Sequence, residues 1–176
     1  TCPKCCQRLL DATRDGVLDL IVLNETSATI QVFAGNGTGF NATATTSSLP
    51  GGFTAPRGLA AGDMNIDGDF DLIVGSSSQS QFAPLRGTGT GAFVAGTVQS
   101  LPDPVVALAI ADVDKDGNLD VVIGTDNSQV LTVRGTTGFG FSAGGTRSTA
   151  SSGKIEAMVL GDFNRDHPLK KGRKSS

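Results

Sequence analysis

Apolar residues in this 176-residue chain come in short runs of four to six, separated by Gly, Asp, Ser and Thr. Residues 18–23, 70–75 and 119–124 are apolar almost throughout, interrupted mainly by one Asp each. That is the pattern of strands buried on both faces. A second run follows each of them at 29–33, 81–85 and 129–133, then a Gly-rich stretch, then a Phe-led run at 40–46, 93–99 and 141–149. Before each later Asp-rich segment comes one more run, at 58–61, 105–111 and 155–160. The pattern predicts four short strands in each repeat. Gly, Thr, Ser, Val and Asp dominate while Glu, Lys and Leu are scarce, which disfavours long helices. No run approaches the roughly 18 residues that span a bilayer. An all-β chain is expected.

Four Asp-rich segments align: DATRDGVLD from Asp11, DMNIDGDFD from Asp63, DVDKDGNLD from Asp112 and DFNRDHPLK from Asp162. Their starts lie 52, 49 and 50 residues apart. The Gly-rich stretches from Gly35, Gly87 and Gly135 begin 24, 24 and 23 residues after their Asp segments. Two landmarks in phase mark a repeat, and four strands per repeat fit the blades of a β-propeller, which bury one another's apolar faces. A β-solenoid is the runner-up, but its rungs are usually shorter. The expected organisation is an atypical N-terminal segment at 1–10, repeats at 11–62, 63–111 and 112–161 with a partial one from 162, and a basic, disordered tail at 167–176. Closed propellers have four to eight blades. A fragment with three blades and the start of a fourth therefore needs further blades from the full-length chain or from self-association.

In the segment from Asp112, carboxylates at Asp112, Asp114 and Asp116 occupy positions 1, 3 and 5, with Gly117 at 6 and Asp120 at 9. Alternate residues of a tight loop point oxygens inward, and a hard cation such as Ca²⁺ takes six to eight of them. The carbonyl of Asn118 at position 7 could add one more. An EF-hand would carry Glu at position 12, where this chain has Ile123, so that reading fails. The segment from Asp63 is equally complete, with Asp63, Asn65, Asp67, Gly68 and Asp71, and Asp69 offering the carbonyl. The first, with Asp11, Asp15 and Asp19, has Thr13 at position 3 and is expected to bind more weakly. The fourth has His167 and Lys170 where Gly and Asp belong, and is expected not to bind. Of the 17 acidic residues, 13 fall in these segments, and their repulsion at short range calls for a counter-ion. The plain alternative is that Asp-Gly pairs are only turn formers.

On the stretches ALAIADVDKDGNLDVVIG, AAGDMNIDGDFDLIVG and VFAGNGTGF, the chain resembles the FG-GAP/VCBS repeat family, over about residues 11–166. The resemblance implies a Ca²⁺-stabilised propeller working outside the cell in adhesion, or in protein or carbohydrate binding. It also implies metal ligands at Asp63, Asn65, Asp67 and Asp71 and at Asp112, Asp114, Asp116 and Asp120. The alternative is the non-catalytic propeller portion of a larger secreted hydrolase.

Charge changes the picture in one respect. The stretch from Asp11 to Asp166 holds all 17 acidic side chains against 8 basic ones, a net of -9, which argues against nucleic acid as partner. Enzyme chemistry has little basis: the single His lies in the altered fourth segment, and no nucleophile or metalloprotease motif is present. Cys2, Cys5 and Cys6 could form half of a zinc site, but no second Cys or His pair exists to complete it. The Gly-rich stretches precede strands rather than helices, so they read as hairpin turns and not as phosphate loops.

Overall fold

The computed structural model describes residues 7–148 and, beyond them, residues 155, 158 and 160. Among these the chain forms strands and no helix. The first sheet is β1 (Gln7–Leu10), β2 (Asp19–Asn24), β3 (Thr29–Phe33) and β4 (Thr45–Ser48), hydrogen-bonded in that order. The second is β5 (Pro56–Gly62), β6 (Asp71–Ser76), β7 (Gln81–Gly87) and β8 (Phe93–Ala95), with β9 (Gln99–Ser100) also paired to β7. The third is β10 (Val105–Ala111), β11 (Asp120–Thr125), β12 (Gln129–Thr136) and β13 (Gly140–Ser148). Every pairing is antiparallel. The expected all-β, blade-like architecture is what the chain adopts.

Each sheet is one strand out of phase with the sequence repeat. The strand before an Asp loop pairs with the strand after it, as β5 does with β6 through Gly62↔Asp71 and Ala61↔Leu72. Residues 7–10, read from the sequence as part of an atypical N-terminal segment, are therefore the first strand of the first blade, with Leu9↔Leu20 and Leu10↔Asp19. Their Gln-Arg start hid the strand signal. The outer strands also depart from the expected Phe-led runs. Phe40 makes only an isolated bridge to Gly35, and the regular strand starts at Thr45. In the second sheet the outer strand breaks between β8 and β9, beside Pro84, which has no N–H to continue a ladder. The run at 155–160, the segment from Asp162, the cysteines and the basic tail lie wholly or largely outside the described residues.

Two cores lie between three sheets. Leu72, Val74, Ala83 and Leu85 join Ile21, Ile30 and Val32 in the first, while Ile73 and Phe82 join Val121, Ile123 and Leu131 in the second. Because β6 faces both, all six of its residues are buried, as its near-continuous apolar sequence requires. Phe82 and Phe141 meet edge to face across the second core, ring centroids 5.3 Å apart. β5 lies against β1 and β2 on one side and β10 on the other, so the first strands of neighbouring blades gather at one edge of the stack, the arrangement of a propeller. The Asp loops all leave from these first strands.

Candidate functional site

The Asp loops share one backbone construction. Asp112 Oδ1 accepts the N–H of Asp116 at 3.1 Å and Oδ2 that of Gly117 at 3.0 Å, and Asp116 Oδ1 accepts the N–H of Asn118 at 2.8 Å. The pattern recurs at Asp63 with Asp67 and Gly68, and at Asp11 with Asp15 and Gly16. The turn requires positive φ at position 6, where Gly16, Gly68 and Gly117 stand at 82°, 86° and 92°. It also requires positive φ at position 4, occupied by Arg14, Ile66 and Lys115 at 59°, 61° and 63°. That second requirement is not visible in the residue types.

In the third loop, Asp112, Asp114 and Asp116 bring one carboxylate oxygen each to within 4.8 Å of one another. In the second loop the amide of Asn65 stands in the third position, its Nδ2 donating to Asp67 Oδ2 at 2.8 Å. In the first loop Thr13 stands there, its Oγ1 buried without a partner. An all-oxygen donor set of this kind suits a hard divalent cation and offers neither nitrogen nor sulfur to a softer one. The third loop fits Ca²⁺ best of the three, the second follows with one neutral ligand, and the first has only Asp11 and Asp15.

Asp19, Asp71 and Asp120, at position 9, sit beneath the loops instead of in the carboxylate cluster. All three are 0% exposed. Asp71 Oδ2 accepts the N–H of Met64 at 3.0 Å and Oδ1 that of Gly87 at 2.8 Å. Asp120 does the same with Val113 and Gly135, both at 3.0 Å. Asp19 takes Ala12 and Thr13 on one oxygen and Gly35 on the other. Each is a staple between the start of the Asp loop and the Gly-rich turn. The constant distance between the two sequence landmarks has its physical origin here. The glycines complete the joint: a Cβ at Gly35, Gly87 or Gly135 would lie 2.3, 2.2 or 2.1 Å from the carbonyl oxygen of Leu18, Phe70 or Leu119.

The three Asp loops lie within the stretches that a known repeat family matches. The FG-GAP-like repeat family matches residues 11–74 and 63–123. The chain belongs to that family. Among solved structures, BBS1N, described in complex with ARL6DN and soaked with lead, superposes with a TM-score of 0.59 at 13% identity, covering 91% of this chain and 44% of that one. That likeness shows the fold, and this chain spans less than half of that one. No curated protein matches.

Electrostatics separate the FG-GAP-like loops further. Arg14, at position 4 of the first loop, reaches the second: its Nη2 donates to the carbonyl of Asp67 at 2.8 Å and its Nε pairs with Asp69. The Asp69 side chain is thus tied to a cation from the neighbouring blade. In the third loop Arg134 Nε stands 3.3 Å from Asp114 Oδ2. The N–H of Asp69, then the Asn65 amide, hold the Asp67 carboxyl below the usual carboxylate range. Burial pushes Asp71 up to about 6 against the pull of the Gly87 and Met64 N–H groups, and the charges of Asp67 and Asp63 add to it. Asn118 turns its Nδ2 to Asp116 Oδ1 at 3.1 Å. The sequence reading missed the two arginines as site residues, because the partners of Arg14 lie more than fifty residues away in the chain. Arg14→Ala is expected to reduce stability by about 1 kcal/mol, since a half-exposed ion pair and one hydrogen bond are lost. Urea unfolding measures it.

Proposed function

We propose that the chain is a Ca²⁺-binding, non-catalytic propeller segment of an extracellular binding or adhesion protein, with the metal in a structural role. What supports the reading above all is the convergence of Asp112, Asp114 and Asp116 within 4.8 Å on a loop whose own N–H groups fix the carboxylates. Asp112, Asp114 and Asp116 would hold the cation, with the carbonyl of Asn118, and Asp63, Asn65 and Asp67 would hold a second with the carbonyl of Asp69. The ion supplies positive charge that cancels the repulsion of clustered carboxylates. The chain's own residues do the rest: Asp71 and Asp120 tie each loop to its hairpin, so that the neighbouring turns are presented to a protein or carbohydrate ligand as a rigid surface.

Calorimetric titration of the metal-free chain with Ca²⁺ is expected to give about two sites and a higher melting temperature. Asp116→Ala is expected to lower the stoichiometry by about one while leaving the β-sheet spectrum unchanged, because its side chain is exposed. A chain that takes up no Ca²⁺ and melts at the same temperature with and without it would return these loops to plain turns.

A further inference from the structure

The pattern Asn-X-Ser/Thr, the acceptor of N-linked glycans on exported chains, occurs at Asn24-Glu25-Thr26, Asn36-Gly37-Thr38 and Asn41-Ala42-Thr43, all in the first repeat. The structure treats the three differently. Asn24 ends β2 at the place where Ser76 ends β6 and Thr125 ends β11. Both of those are 0% exposed, and their hydroxyls accept N–H groups of the turn that follows, from Gln79 at 2.9 Å and Gln129 at 3.3 Å. Asn24 Oδ1 does the same work, accepting the N–H groups of Thr26 at 3.1 Å and Ser27 at 3.2 Å. This is a turn-capping place that the fold closes over in the other two sheets. Asn36 is also engaged: its Oδ1 accepts the N–H of Thr38 at 3.0 Å and its hydroxyl at 2.9 Å, and its Nδ2 donates to Asn41 Oδ1 at 3.3 Å. Asn41 is exposed, and its own Nδ2, the atom that a glycan takes, makes no hydrogen bond among the described residues.

We propose that Asn41 is an N-glycosylation site. Its exposure does not come from the place of the first sheet in the chain. Asn41 follows Phe40, which pairs with Gly35, and the residues that follow the aromatic at the same place in the other sheets are Val94 and Ser142. Both are exposed although a sheet precedes each of them. A preceding blade therefore leaves this position open. The backbone is fixed there by the Asn41 N–H, which donates to the Ala34 carbonyl at 2.8 Å, so the side chain is not needed to form the turn. In the transfer, Asn41 Nδ2 attacks C1 of the first sugar of an oligosaccharide carried on a lipid diphosphate. The new C–N bond forms, the bond from C1 to the diphosphate oxygen breaks, the lipid diphosphate leaves with that electron pair, and the amide gives one proton to a base of the transferase. The bulky product stands just before β4, the outer strand of the first sheet, where it hinders pairing of that edge with other chains. The proposal rests on the extracellular reading above, since such transfer meets only chains that enter a secretory route, and on none of the metal sites.

Expression of the whole chain behind a secretory leader in a yeast or animal cell line, followed by digestion with peptide N-glycosidase, tests it. The digestion releases the glycan and leaves an aspartate at a modified position, which peptide masses identify. The wild-type chain is expected to be modified at Asn41 and to lose apparent mass on digestion. Asn41→Gln and Thr43→Ala, both at exposed positions, are each expected to abolish the modification there, and Thr43→Ser to retain it, because serine keeps the hydroxyl that the acceptor pattern requires. Asn24→Gln is expected to leave the Asn41 glycan in place. An unmodified Asn41, or a loss of mass on digestion that Asn41→Gln leaves unchanged, overturns the proposal. Occupancy is read in cells and medium alike. A chain that carries the glycan but is retained unfolded in the cell counts against the extracellular reading, whereas a folded chain secreted with Asn41 unmodified counts against this proposal alone.

Discussion

Asp71→Ala is expected to lower the unfolding free energy by about 4 kcal/mol and the melting temperature by about 10 °C. The side chain is fully buried, and its removal strands the N–H groups of Met64 and Gly87, each of which costs about 1–3 kcal/mol when left unpaired. It also releases the second Asp loop from the turn at Gly87. Denaturant unfolding of the metal-free protein measures the loss without interference from Ca²⁺. The pH dependence has a definite sign. The Asp71 carboxyl in the folded chain lies at about 6, above the value of about 4 expected when unfolded. The folded state therefore binds the proton more tightly, and the contribution of this group is fully present below about pH 4 and lost as pH rises through about 6. The stability gap between wild type and Asp71→Ala is expected to widen as pH is lowered from 7 to 4. A gap that narrows over that range would show that the fold prefers the ionised side chain.

Gly87→Ala is expected to cost about 3–4 kcal/mol, comparable to loss of the staple itself. An added Cβ would stand 2.2 Å from the carbonyl oxygen of Phe70 and 3.1 Å from its carbon. Backbone is on both sides of that contact, so the hairpin must move away from the loop, and the 2.8 Å hydrogen bond to Asp71 breaks with it. Gly39→Ala is the matched control: it lies in the equivalent Gly-rich stretch of the first sheet, has open space around its Cβ position, and is expected to change stability by less than about 0.5 kcal/mol. Equal effects at Gly87 and Gly39 would mean that close approach is not the reason for glycine at the start of these stretches.

The two changes report on one device that the sequence displays only in part. The phased Asp and Gly landmarks are plain in the chain, and so are the short apolar runs, because a fifty-residue repeat imposes the same burial pattern on each copy. Spacing places Asp71 and Asp120 among candidate ligands on equal terms with Asp67 and Asp116. Burial separates them: the position-9 carboxylates go under the loop onto backbone N–H groups, whereas Asp112, Asp114 and Asp116 converge at its surface. Residue type does not distinguish the two, since an aspartate serves either purpose. β1 escaped notice because its first two residues, Gln7 and Arg8, are polar and exposed, so the strand carries too short an apolar run to read.

By itself the sequence determined the repeat, its all-β character, the turn glycines and the oxygen-rich loops, all of which follow from local periodicity and the conformational needs of single residues. The tertiary structure decided which strand belongs to which blade, that Arg14 of one loop supports the next, and that Asp19, Asp71 and Asp120 are buried beneath the loops. Those outcomes depend on what meets across tens of residues and between stacked sheets, where packing and desolvation act, and a linear pattern carries no measure of either.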